Sequence, residues 1–172
     1  AGATNTGTGT ITLASGDGVN LNAVLGGGDD GAITIQANTD GAGAEGFTQN
    51  AAATITSGNT GAGAIAITVN TAGGGTGAAV IGANMTTGAG GAITIDTANG
   101  GNTGTGISRT AGTLAADTVT LTTGNGDIGA LAGRIVTDAG TLNANAQGGS
   151  SVFVSEADGV ILASVVATDT VD

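Results

Sequence analysis

The sequence predicts an all-β chain wound as a right-handed parallel β-helix, a β-solenoid of about seven rungs with roughly 20–32 residues in each. Three observations lead there. A five-residue phrase recurs as Gly31-Ala32-Ile33-Thr34-Ile35, Gly63-Ala64-Ile65-Ala66-Ile67 and Gly91-Ala92-Ile93-Thr94-Ile95, at offsets of 32 and 28 residues. Composition is far from that of an average globular domain: 36 of 172 residues are Gly, while Trp, Tyr, Cys, His, Pro and Lys are absent. The large apolar residues are nearly all Ile, Val and Leu, in short groups that alternate with period two, as at Ile11-Thr12-Leu13, Ile65-Ala66-Ile67-Thr68-Val69 and Val119-Thr120-Leu121.

Each element of the prediction has a physical reason. Ordering backbone costs about 1–2 kcal/mol per residue, and so much Gly raises that cost. Only two Phe are present to fill a wide core. Stacked parallel strands avoid the difficulty, because backbone ladders carry much of the order and a narrow column of Ile, Val, Leu and Ala fills the interior. Ile33, Ile35, Ile65, Ile67, Ile93, Ile95, Val119, Leu121, Val152 and Val154 are the expected structural core. Phe47, Met85 and Phe153 are expected to plug corners. The runs Gly26-Gly27-Gly28, Gly73-Gly74-Gly75 and Gly100-Gly101 would supply positive φ at sharp turns. Disorder is disfavoured, because Thr, Ile and Val are plentiful and only 9% of residues are charged.

No linker is visible, so residues 1–172 read as one segment with two textures. Residues 1–110 carry long Gly-rich rungs, and 111–172 carry apolar groups at tighter intervals of roughly 7 to 10 residues. In the second part, Leu121-Thr122-Thr123-Gly124-Asn125-Gly126-Asp127-Ile128-Gly129 and the stretch from Gly148 to Val160, Gly-Gly-Ser-Ser-Val-Phe-Val-Ser-Glu-Ala-Asp-Gly-Val, resemble repeats of giant bacterial filamentous-haemagglutinin-like surface proteins. That resemblance implies a right-handed β-helical rod outside the cell, exported by two-partner or autotransporter routes. With a start at Ala1 and no secretion-domain pattern, a fragment or processed product is expected.

Charge narrows the function classes. A net charge of −11 disfavours nucleic acid and anionic membranes, since only Arg109 and Arg134 could meet a phosphate, and both read as loop solubilisers. No apolar run reaches the roughly 18 residues a membrane span needs, so no membrane insertion is expected. Three sharper readings compete with plain turn chemistry. Asn38-Thr39-Asp40, Asp29-Asp30 and Arg134-Ile135 resemble fragments of the motifs of β-helical polygalacturonases, but the order is wrong and the active-site His is missing, so no enzyme and no catalytic residue is expected. Asp29, Asp30 and Asp127 are weak calcium candidates, beside Gly turns where carboxylate and carbonyl oxygens could gather. Thr-x-Thr pairs such as Thr54-Ile55-Thr56 fit an ice-binding face, yet the central phrases hold one Thr or none.

The function expected is therefore structural: an extracellular rod or stalk segment of a bacterial surface adhesin, without cofactor. The alternative is a filament subunit stacking end to end. The expected partners are copies of itself or adjoining rungs of a longer chain, together with host or cell-surface glycans.

Overall fold

A computed structural model describes residues 2–97 and 105–172. Ala1 and the expected Gly100-Gly101 corner lie outside them. Regular structure among the described residues is β-strand, and no helix is long and apolar enough to cross a membrane. The chain opens with β1 (Ala3–Thr4), β2 (Ile11–Ala14), β3 (Val19–Leu21) and β4 (Leu25–Gly26). One five-residue strand followed by two shorter ones then appears twice. These are β5 (Ile33–Ala37), β6 (Phe47–Gln49) and β7 (Ile55–Thr56), then β8 (Ile65–Val69), β9 (Ala79–Ile81) and β10 (Met85–Thr86). After β11 (Ala92–Thr97) and β12 (Thr105–Arg109) come the 10-residue β13 (Leu114–Thr123), β14 (Asp127–Ile128), the 12-residue β15 (Ile135–Ala146), β16 (Val154–Glu156) and β17 (Ile161–Ala167).

Period-two alternation decides which side chains face inward. In β5 and β8 the first, third and fifth residues are buried, and Thr34, Gln36, Ala66 and Thr68 between them are half-buried. Pairings between these strands are parallel. They form a 12-stranded sheet in the order β1-β4-β7-β10-β13-β11-β8-β5-β2, with β15 joined to β13, β16 and β17. The five strands β14-β12-β9-β6-β3 form a second sheet. Register stacks like on like. One column runs Ile11, Ile33, Ile65, Ile93, Val119, Leu142, Leu162, and its neighbour Leu13, Ile35, Ile67, Ile95, Leu121, Ala144, Val165. In the second sheet the column is Val19, Phe47, Ala79, Ile107, Ile128, Val152, Val171. The core lies where these columns meet, and each fully buried Ile or Val contributes about 1.5–3 kcal/mol.

This architecture corrects the expected right-handed β-helix of about seven rungs. The chain is all-β, parallel-stranded and solenoid-like, but its main sheet is one continuous surface curled like half a barrel. It does not divide into seven separate rungs. The reason lies in β13 and β15, which run through places where corners were expected. β13 pairs with β10 through Leu114 and Ala115, and with β11 from Thr118 onward, so both flanks of the sheet join in one strand. The β13–β15 ladder passes from Ala116–Ala139 to Thr118–Thr141 and omits only Asp117 and Gly140. A bend at that point replaces a loop, and the Asp117 N–H bonds the Gly91 carbonyl at 3.0 Å.

The Gly runs and the bulky residues also differ from expectation. Gly28, Gly73 and Gly74 have positive φ, whereas Gly26 belongs to β4. Phe47 and Met85 are fully buried members of the columns, with Met85 between Ile55 and Leu114. Phe153 is half-buried.

Candidate functional site

Two kinds of place carry polar chemistry: the corners between strands and the open C-terminal end. The first corner repeats. Asn38 and Asn70 follow β5 and β8 directly, both with positive φ (52° and 61°), a conformation that Asn tolerates better than most residues. Each accepts a backbone bond from a Gly three residues on, Gly41 at 3.3 Å and Gly73 at 2.9 Å. Both side chains are buried, and the Asn38 Nδ2 donates to Asn70 Oδ1 at 2.7 Å. Asn70 in turn donates to the Gly77 carbonyl at 2.9 Å and accepts from the Gly77 N–H at 3.1 Å. A Cβ on Gly75 would collide with both amides, so that residue must be small. Asn38 is thus a structural residue of this corner. Asp40, its neighbour, accepts from the Ala42 N–H at 3.0 Å in a turn of its own.

The second corner binds its carboxylate in the same inward fashion. Asp127 Oδ1 accepts from the Ser151 N–H at 2.7 Å, and Ser151 Oγ donates to Asp169 Oδ2 at 3.2 Å. Gly126 N–H bonds Ser150 Oγ at 2.8 Å. Asp127 therefore ties adjacent strands together. Asp29 and Asp30 are exposed on a turn, where the Asp30 carbonyl accepts from Asn59 at 3.0 Å. The structure does not bring the three calcium candidates together.

A different carboxylate group is assembled instead. Asp138, Glu156 and Asp158 present oxygens within 4.8 Å of one another. Glu156 occupies a core column that runs Leu25, Ile55, Met85, Leu114 and then turns polar at Thr137. Thr137 donates its hydroxyl to Glu156, whose other oxygen accepts from the N–H groups of Ala139 and Ala157 at 3.0 and 3.1 Å. The carboxylate is half-buried and well supplied with donors. Sequence reasoning missed this group because Asp138, in β15, lies far along the chain from Glu156 and Asp158, at and just after the end of β16. It also missed Asn70, although the recurrence of Asn-Thr-x-Gly at 38–41 and 70–73 was there to be read.

Of the expected core residues, Ile33, Ile35, Ile65, Ile67, Ile93, Ile95, Val119, Leu121 and Val152 are buried. Val154 is half-buried because β16 pairs only with β15. It lines a cavity of about 170 Å³ with Leu142, Val165, Leu162, Val171 and Glu156. This is the open end of the core. Leu162 is 63% exposed and Val171 58%, whereas their column neighbours Leu142 and Val152 are buried. Among the described residues, the outer edge of β17 has no partner strand, and neither do the outer edges of β2 and β3 at the other end.

The two Arg residues are held locally. Arg109 Nε donates to the Gly112 carbonyl at 2.5 Å. Arg134 pairs with Asp172 at 2.5 Å, and this hydrogen bond, with their mutual attraction, raises the Arg134 pKa and holds the Asp172 carboxyl below its ordinary value. Chemically, the described residues offer unpaired strand edges and an apolar end, and the carboxylates of Asp40, Asp127 and Glu156 are engaged with backbone donors. Comparison with protein-family models, curated proteins and solved structures finds no match to this chain.

Proposed function

We propose that the chain is a structural segment of an extracellular bacterial surface protein of the filamentous-haemagglutinin-like kind, a stiff spacer that holds adhesive regions away from the cell. The observation that carries this reading is the use of the side chains. Inward positions stack in apolar columns along one direction, and the corner Asn, Ser and Asp residues bond to neighbouring strands. Such a coil gains stability one neighbour at a time, so length can be added without a new core.

The resemblance of Leu121–Gly129 and Gly148–Val160 to that family supports the surface location, as does the acidic, Lys-free composition. In this reading, glycans on host or neighbouring cells meet the adhesive regions that the segment supports. The test is immunogold electron microscopy of cells that make the protein, with antibody raised against this chain. Gold along surface appendages supports the proposal. Label confined to the cell interior overturns it.

A further inference from the structure

We infer that Asn125 and Gly126 form a self-modifying site, where the chain converts its own asparagine to aspartate and isoaspartate at a rate set by the Ser150 hydroxyl. The site goes beyond the spacer reading and stands or falls independently of it.

The reactive pair is imposed by the turn between β13 and β14. Gly126 has a φ of 145°, a conformation essentially reserved for glycine, so the turn needs Gly there. The residue before it, Asn125, is exposed. Without a Cβ on Gly126, its backbone nitrogen is sterically open to the neighbouring side-chain amide. In the reaction, the Gly126 nitrogen gives its proton to hydroxide and bonds to Asn125 Cγ. The Cγ–Nδ2 bond breaks, and ammonia leaves with a proton from the solvent. Water then opens the cyclic imide at either carbonyl, leaving an ordinary aspartate or an isoaspartate whose main chain runs through the former side chain. Water is the co-reactant, and nothing is oxidised or reduced.

The fold holds this pair in an unreactive arrangement. The Gly126 N–H donates to Ser150 Oγ at 2.8 Å, and Ser150 is only 4% exposed. The Gly126 carbonyl accepts from the Thr123 hydroxyl at 2.5 Å, so the residue is gripped on both sides. Asn125 Oδ1 lies against Gly148, where a Cβ would collide with it. Attack therefore requires the bond to Ser150 to break and the Asn125 amide to leave Gly148. Both need the turn to open locally. Ser150 belongs to the next turn of the stack, where Val152 bridges Ile128. Loss of that contact starts the reaction.

Conversion acts back on the same contact. An isoaspartate adds a methylene to the main chain just before β14. Ile128, two residues beyond Gly126, sits in the core column between Ile107 and Val152, and a longer turn displaces it from that register. The Asp127 bond to the Ser151 N–H lies in the same seam. The other Asn-Gly pair of the sequence, Asn99-Gly100, lies outside the described residues.

The test is peptide mapping of the aged chain. With no Lys and two Arg, trypsin releases residues 110–134 as one peptide in which Asn125 is the only Asn, so its mass gain reports this site alone. Wild-type chain is incubated at mildly alkaline pH, folded or in guanidinium chloride. Conversion is expected in denaturant and at least about tenfold more slowly in the folded chain. Ser150→Ala, folded by circular dichroism, should convert severalfold faster than folded wild type. Asn38→Ala weakens a distant corner, keeps the Ser150 bond and should convert at the wild-type rate. The inference is overturned by no conversion in denaturant, by equal rates folded and unfolded, or by a folded Ser150→Ala no faster than wild type. An Asn38→Ala chain as fast as Ser150→Ala overturns it too, because the rate then follows general opening of the stack. If Ser150→Ala does not fold, hydrogen exchange at the Gly126 amide of wild type decides: protection supports the latch, and exchange at the rate of an open turn overturns it.

Discussion

Ile67 and Leu162 are both large aliphatic residues on inward positions of parallel strands, in neighbouring columns of the same sheet, yet one is fully buried and the other 63% exposed. Neither residue type nor alternation separates them. Ile67 has a strand on each side, Ile35 in β5 and Ile95 in β11, whereas β17 has one on its inner side only. Burial in this fold comes from the next strand along the stack. A globular domain shields an inward side chain from all directions at once, but here the two directions along the column must be filled separately.

The largest test of that contrast is to place a charge at each position. Ile67→Asp buries an unpaired carboxylate between two Ile, with an expected cost on the order of 4 kcal/mol or more. Ile67→Ala should cost about 2–5 kcal/mol through lost burial and a cavity. Leu162→Asp, measured on monomers at high dilution, should shift stability by no more than about 0.5 kcal/mol. Urea denaturation followed by circular dichroism reads all three. If Leu162→Asp proved as damaging as Ile67→Asp, the end of the stack would be covered within the monomer and the comparison would fail.

A smaller effect separates the two members of the corner pair. Asn70 makes three side-chain bonds, to Asn38 and to both backbone groups of Gly77, while Asn38 makes one with its Nδ2, and its Oδ1 has no hydrogen-bond partner. Asn70→Ala should therefore cost about 2–3 kcal/mol, since it removes three bonds, leaves the buried Asn38 Nδ2 without its acceptor and forces Ala into positive φ. Asn38→Ala should cost about 1 kcal/mol less. In the double variant, a coupling below about 0.5 kcal/mol would show that the two amides act independently.

The same comparison explains how much of the fold could be read in advance. The inward Ile of β5, β8 and β11 were legible because period-two alternation between Gly-rich breaks needs no knowledge of the neighbours. The continuity of the main sheet was not. Ala116-Asp117-Thr118 carries an Asp where a turn would place one, and Gly140 reads as a break. The strands nevertheless run on, because Ala116 and Thr118 have Ala139 and Thr141 alongside, and Asp117 lies opposite Gly140, which has no side chain to clash. Local sequence cannot report that pairing. The site was less legible still. Asp29, Asp30 and Asp127 looked like cation ligands because Asp beside Gly is also the chemistry of turns, and Asp127 spends its carboxylate on Ser151. Asp138 and Glu156 come together only because β16 lies along β15, and neither stretch by itself signals the other.

The smallest expected effect lies at the exposed end, in the Arg134–Asp172 pair. The Asp172 carboxyl is held below its ordinary value of 3.8 by the hydrogen bond from Arg134 and by its charge. A carboxylate whose pKa is lower in the folded chain adds stability that is present above the unfolded value and is lost as pH falls through the folded one. Arg134 is shifted upward from an already strongly basic value, so its contribution does not change across the acid and neutral range. Relative to wild type, Asp172→Asn should thus show a small deficit that is level at neutral pH and fades as pH falls below the ordinary carboxylate range. Both side chains are partly exposed, at 31% and 44%, so water and salt screen the pair. In about 1 M salt, where the Debye length is about 3 Å, the level part of the deficit should shrink toward zero. A deficit that ignored salt would mean that the carboxylate acts through its hydrogen bond from Arg134 and little through its charge, because the backbone bonds of residue 172 to Val152 and Val154 are kept in the variant.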